Sequence, residues 1–267
     1  MSQEALIAAL REPNPQRKCA AVAALHLDVK AMAGVGETSR LPTDTLGVPG
    51  RPERPELIDP AKVPRRRLGS DAGRAALVHA VAHIEFNAIN LALDACWRFQ
   101  GMPANYYHDW LSVAVDEARH FQLLAARLRD LGHEYGDFPA HNGLWEAAEK
   151  TAHDVLVRMA LVPRVLEARG LDVTPGMIQR LESVGDTATV EILQLILREE
   201  VRHVQIGTHW FHFCCAQRGL PPDQTFVELL ADYNMSVRPP LNEAARQQAG
   251  FSERELALVL AGSGSAR

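Results

Sequence analysis

The sequence predicts an all-α protein built on a four-helix bundle, and three observations predict it. No segment alternates β-branched and polar residues as a half-buried strand would. Four long segments carry apolar residues at helical spacing. In two of them the same five-residue pattern, acidic-Glu-x-Arg-His, recurs 83 positions apart, as Asp116-Glu117-Ala118-Arg119-His120 and Glu199-Glu200-Val201-Arg202-His203.

Taken in order, residues 1–30 predict one or two short amphipathic helices, with Pro13 and Pro15 between them. Residues 36–70 form a proline-rich arm. Five prolines fall between Pro42 and Pro60, followed by Pro64-Arg65-Arg66-Arg67, and this composition disfavours regular structure. Its apolar residues Leu41, Leu46, Val48, Leu57, Ile58 and Val63 favour an arm laid on the bundle over a free linker. Ser70 is a good N-cap for a helix running to about Phe99. A second helix is expected from about Ala104 to Leu131, with Gly132 as its C′ residue. Residues 134–143 read as a loop, and a third helix is expected over 144–169, stopped by Gly170 and containing Pro163. Thr174-Pro175 would cap a short helix to about Val184. The fourth long helix should span about 187–217, and two short helices follow, the second opened by the capping box Ser252-x-x-Glu255. The expected organisation is an N-terminal part (1–70), a bundle (71–218) and a C-terminal part (219–267), packed as one structural unit.

Composition narrows the function classes. Hydrophobic residues are 47% and charged residues 23%, as in ordinary globular proteins, and the net charge of −5 disfavours a surface given over to nucleic acid. The sequence has no apolar run of membrane-span length and no secretory h-region near its start. Cys19, Cys96, Cys214 and Cys215 form no CxxC pair. Reduced thiols and a cytoplasmic location are the simplest reading.

The duplicated motif carries the chemistry. Glu and His three residues apart project from one face of a helix. Glu85 precedes Glu117 by 32 residues, and Glu167 precedes Glu200 by 33. Glu85, Glu117, His120, Glu167, Glu200 and His203 thus supply one Glu from each of two helices and Glu-x-x-His from each of the other two. That is a ligand set for two metal ions in a bundle core. Four carboxylates balance two divalent cations. Without metal, burying those charges would cost several kcal/mol each, about the penalty for any unpaired buried ion. Iron is the expected metal; manganese or a mixed pair suits the same ligands. One Glu-x-x-His alone would be a weak signal, since most lie on solvated faces; two copies in register with two further Glu are not.

Asp116 and Glu199 precede the ligand Glu in each copy. Each suits either a hydrogen bond to a ligand histidine or pairing with Arg119 or Arg202. His83, two residues from Glu85, points to roughly the opposite face and reads as a core histidine. Pro163 lies one turn before Glu167 and should kink or widen the helix there. Tyr106 and Tyr107 lie about 15 Å along the axis from Glu117, and that distance disfavours a tyrosyl-radical generator.

Longer motifs carry a resemblance. Pro-Gly-Arg-Pro-Glu-Arg-Pro-Glu-Leu (49–57), Arg-Arg-Leu-Gly-Ser (66–70), Ala-His-Ile-Glu (82–85), Tyr-Gly-Asp-Phe-Pro-Ala-His (135–141), Thr-Ala-His-Asp (151–154) and Leu-Glu-Ala-Arg-Gly-Leu-Asp-Val-Thr-Pro (166–175) resemble the bacterial family DUF455. The ligand arrangement resembles the ferritin-like superfamily of di-iron carboxylate proteins and, more distantly, the MiaE-type tRNA hydroxylases. The resemblance implies a ferritin-like fold with the six residues above as ligands.

The first functional reading is an O2-dependent oxidase or oxygenase, an oxidoreductase acting on a small-molecule substrate with an external electron donor. The arm and the 132–143 loop would form pocket walls, with Asp137, His141 and Trp145 as candidates. An alternative is iron handling or peroxide scavenging. Against it stand a chain longer than a cage-forming bundle and the absence of a rubredoxin-like CxxC. A second alternative is tRNA hydroxylation, for which Arg65-Arg66-Arg67 is the one basic cluster; a third is a purely structural metal. No membrane partner is expected, and a homodimer is compatible with the sequence.

Overall fold

The computed structural model describes residues 3–31, 47–64 and 67–263. Leu41, Leu46, Arg65 and Arg66 lie outside these. Among the described residues the fold is helical, and its one β feature is an isolated bridge between Leu57 and Ala140. The chain forms two compact units, Met1–Trp145 and Glu146–Arg267.

In the first unit α1 (Gln3–Arg11) and α2 (Pro15–Ala31) precede the arm. Pro15 opens α2, where a missing N–H costs nothing. Lys18 on α2 is fully buried and donates from Nζ to the carbonyls of Ala9 (3.0 Å) and Leu10 (2.8 Å), capping the end of α1. The described part of the arm, residues 47–64, is pinned at two points. Gly50 N donates to Leu10 O at 2.9 Å, and a Cβ at Gly50 would strike the Arg11 carbonyl. Ile58 N donates to Ala140 O and Ala140 N to Glu56 O, which ties the arm to the loop. The described part of the arm is therefore packed, though not on all the residues expected. Val48 is 61% exposed, whereas Pro49 and Pro55 are buried and take the anchoring role.

The two long helices of this unit are α3 (Asp71–Arg98) and α4 (Ala104–Asp130), packed along their length with Phe86 and Phe121 ring centroids 5.5 Å apart. Ser70 Oγ caps α3 by accepting from Gly73 N, and Gly132 leaves α4 at φ 75° as a C′ glycine should. By length and composition α3 could cross a membrane, but 78% of its apolar window is buried inside the fold, as in a core helix.

After α5 (Gly143–Lys150), the second unit departs from the expected third helix. One helix over 144–169 was expected; the chain instead breaks at residues 151–154 and restarts as α6 (Val155–Leu161). The break satisfies its own backbone. Arg158 donates to Ala148 O and to Thr151 Oγ1, and Asp154 caps α6 by accepting from Leu156 N. A π-helical segment, Val162–Glu167, follows directly and continues as α7 (Ala168–Glu182). Gly170 does not stop the helix, and Pro175 lies inside α7 instead of opening a new helix. Helix α8 (Thr187–Arg218) packs against α6, the π segment and α7, and ends at Gly219 in the left-handed region, φ 66°. Three short helices close the chain where two were expected: α9 (Pro222–Asp232), α10 (Glu243–Gln248) and α11 (Glu253–Ser263). The capping box forms. Ser252 N donates to Glu255 Oε2 at 3.1 Å and Glu255 N to Ser252 Oγ at 3.0 Å.

Candidate metal centre

In the first unit α3 presents Glu85 and α4 presents Glu117 and His120. All three are buried, and one donor atom from each lies within 4.8 Å of the others. His120 Nδ1 is 3.1 Å from Glu85 Oε2 and 3.5 Å from Glu117 Oε2. Burial alone would drive the imidazole neutral. The hydrogen bonds and negative charges of Glu117 and Glu85 outweigh it and raise its pKa to about 11. Even with His120 protonated, two carboxylates and one imidazolium leave a net negative charge in a dry place. This is a donor set suited to a cation, and these residues could hold a metal ion.

The second unit carries the other copy. Glu200 and His203 are buried on α8, with His203 Nδ1 3.4 Å from Glu200 Oε1. Glu167 is half-buried at the last position of the π segment. The widening expected at Pro163 is therefore present as a π turn. Proline has no N–H to donate, and the extra residue rephases every side chain after it. Of the two flanking acids, Asp116 pairs with Arg119 (Nη2 to Oδ1, 3.1 Å), and Glu199 is half-buried on α8.

The π segment is held from two sides that sequence reasoning missed. Pro163 packs on Gly207 of α8, where any Cβ would collide with the proline ring. The signal was a glycine inside a long helix, which needs a packing reason. Arg164 is fully buried. Its guanidinium carbon lies 4.5, 4.1 and 4.4 Å from the ring centroids of Phe211, Phe226 and Phe251, and Nη2 reaches Glu255 Oε1 at 2.6 Å. Below it Arg246 forms a two-armed pair with Asp172 (2.8 and 3.0 Å). These partners are 44 to 91 residues away in the chain, and no local pattern announces them.

His83 is a core histidine as expected. Tyr135 OH lies 2.9 Å from its Nδ1, and its Nε2 lies 3.1 Å from His141 O. That geometry is satisfied when the phenol donates to Nδ1 and Nε2–H donates to the carbonyl. Burial lowers its pKa to about 4, so it is neutral. The loop also brings Tyr135 onto Phe121, next to His120, with centroids 5.0 Å apart, a proximity that spacing along α4 does not reveal. The arm and loop line a cleft in this unit through residues that include Tyr135 and Asn142; Asp137, His141 and Trp145 are not among its walls, and it contains none of the expected ligands.

The family model described as a protein of unknown function, DUF455, matches residues 11–257. The chain belongs to the DUF455 family. It is 45% identical over 258 residues to a Haemophilus influenzae protein described as uncharacterized, covering 93% of this chain and 90% of that one. No solved structure matches. In DUF455 terms the matched region contains both copies of the acidic-Glu-x-Arg-His motif, the arm and the π segment.

Proposed function

We propose that the two copies of the motif complete one dinuclear non-haem centre in a ferritin-like four-helix bundle formed by α3, α4, the π segment with α7, and α8. Its ligands are Glu85, Glu117, His120, Glu167, Glu200 and His203, and its metal is iron. The protein is then an O2-dependent oxidase or oxygenase acting on a small-molecule substrate. The observation that carries this reading is the convergence of Glu85, Glu117 and His120, buried, with donors within 4.8 Å.

When bound, an iron pair supplies one-electron and dioxygen chemistry that no side chain can. The chain's own residues set the conditions. His120 must lose its imidazolium proton before Nδ1 can serve as a ligand, so loading releases protons and strengthens as pH rises. Four glutamates neutralise two divalent ions, which makes the loaded core electrically balanced. The buried faces of α3 and α4 keep bulk water away. Glu167 is the half-buried member of the set, at the end of the widened turn.

The test is optical spectroscopy of the iron(II)-loaded, reduced protein on mixing with air-saturated buffer. A new absorption band in the visible or near-ultraviolet, lost in Glu117→Ala, is expected. Metal content that stays unchanged with no spectral change in oxygen would sink the redox reading and leave a structural metal.

A further inference from the structure

The first unit contains a second polar concavity that the metal reading does not use. The strap of the arm between Gly50 and Leu57 lies over α3, and between them is a small cleft that opens to solvent. Its α3 wall is formed by residues 83, 86, 87 and 90, spacing that places them on one helical face, with Glu85 on roughly the opposite one. The cleft is thus separate from the metal ligands.

The polar groups around it divide into two kinds. His83, Tyr135 and Asn87 are engaged with one another: Tyr135 OH donates to His83 Nδ1 at 2.9 Å, and Asn87 Nδ2 donates to His83 O at 2.9 Å. They make a fixed wall. Asn90, in contrast, is 1% exposed, and its Oδ1 has no hydrogen-bond partner among the described residues. A buried amide oxygen left unmatched is costly and rare. Arg51, on the strap at the mouth, is exposed and forms no ion pair among the described residues. The strap itself is fixed by the Gly50–Leu10 and Ile58–Ala140 hydrogen bonds, so the cleft is preformed.

We propose that this cleft binds a small organic carboxylate that also carries an O–H or N–H donor. The carboxylate meets the Arg51 guanidinium, whose planar fork suits it, and the donor satisfies Asn90 Oδ1. The prolines of the strap and Phe86 supply the apolar cover for the carbon skeleton. Because the cleft and the metal ligands lie on different faces of α3, either reading can fail without the other.

Glycolate and acetate serve as probes, since they differ by the hydroxyl donor. Backbone NMR of the full-length, metal-free protein should show saturable glycolate shifts at Asn90, Tyr135 and Asn142, and binding weaker by about tenfold or more for acetate, the discrimination expected when a buried polar group loses its partner. Arg51→Met, at an exposed position, should weaken glycolate binding by about tenfold, the loss of a charge-assisted pair. Asn90→Leu should abolish the preference for glycolate over acetate while raising the melting temperature of the ligand-free protein, since it removes the unmatched oxygen. Glu117→Ala should leave glycolate binding unchanged. No saturable shift at these residues, equal binding of acetate and glycolate, or a Glu117→Ala variant that loses glycolate would overturn the proposal.

Discussion

The two copies of one ligand pattern are mounted on different supports. In the first unit Glu85 sits in the middle of α3, a regular 28-residue helix, and its carboxylate meets His120 directly at 3.1 Å. In the second unit Glu167 ends a π turn and is half-buried, although its partner helix α8 is as regular as α4. The first copy is rigid because α3 is buried nearly all round; the second is held by specific devices, the Pro163–Gly207 contact and the caged Arg164. The difference teaches that a duplicated motif need not be mounted on matching supports. The rephased helix is where the sequence spends glycine, proline and a buried arginine, and π turns of this kind recur at functional positions.

The largest expected effect that sharpens this comparison comes from Arg164. Burial pushes its guanidinium below the ordinary arginine value, and Glu255 opposes that. Arg164→Met would leave Glu255 charged, buried and unpaired, and should cost about 3–5 kcal/mol. Hydrogen exchange should show the loss in α8 and α11 with α3 and α4 still protected. Equal loss in both units would break the assignment of this device to the second copy alone.

Gly207→Ala should cost about 1–3 kcal/mol by overpacking against Pro163, read from denaturant midpoints. Gly170→Ala, with nothing within 4 Å of the added carbon, should be neutral or stabilise by about 0.5–1 kcal/mol. A Gly207→Ala variant as stable as Gly170→Ala would show that the π turn does not depend on that contact.

A further effect is in the first unit and appears as a slope. Lys18 has its pKa lowered to about 7, chiefly by burial, with Glu12 partly opposing. The unfolded chain holds that proton up to the ordinary value of 10.5. Between these values unfolding takes up a proton, so stability should rise with pH. The desolvation penalty is complete below about 7 and gone above 10.5. Urea unfolding of the wild type should show this rise from pH 7 to pH 9, and Lys18→Met should lack it.

Much of this was legible in the sequence where a local signal existed. Ser70, Gly132 and Gly219 bound α3, α4 and α8 through capping chemistry that depends on a few neighbouring residues. The Glu-x-x-His pairs were legible because three residues on a helix share a face. Pro163 announced a widened turn because a missing N–H has a fixed consequence. The third expected helix was misread because its break rests on Arg158 and Asp154 capping opposite ends, groups that look like ordinary helix residues. Pro175 was taken for a helix start because its ring fits one equally well. The strap's tie to Ala140 and the cage around Arg164 join segments far apart in the chain, and no window of sequence contains them.

The central claim, one dinuclear centre fed by both copies, is tested most directly by metal analysis of protein purified without added metal. About two ions per chain are expected in the wild type, the stoichiometry of a dinuclear carboxylate–histidine site in a bundle, with marked loss in both Glu117→Ala and Glu200→Ala. Fewer than about one ion per chain, with content unchanged in the two variants, would contradict the account.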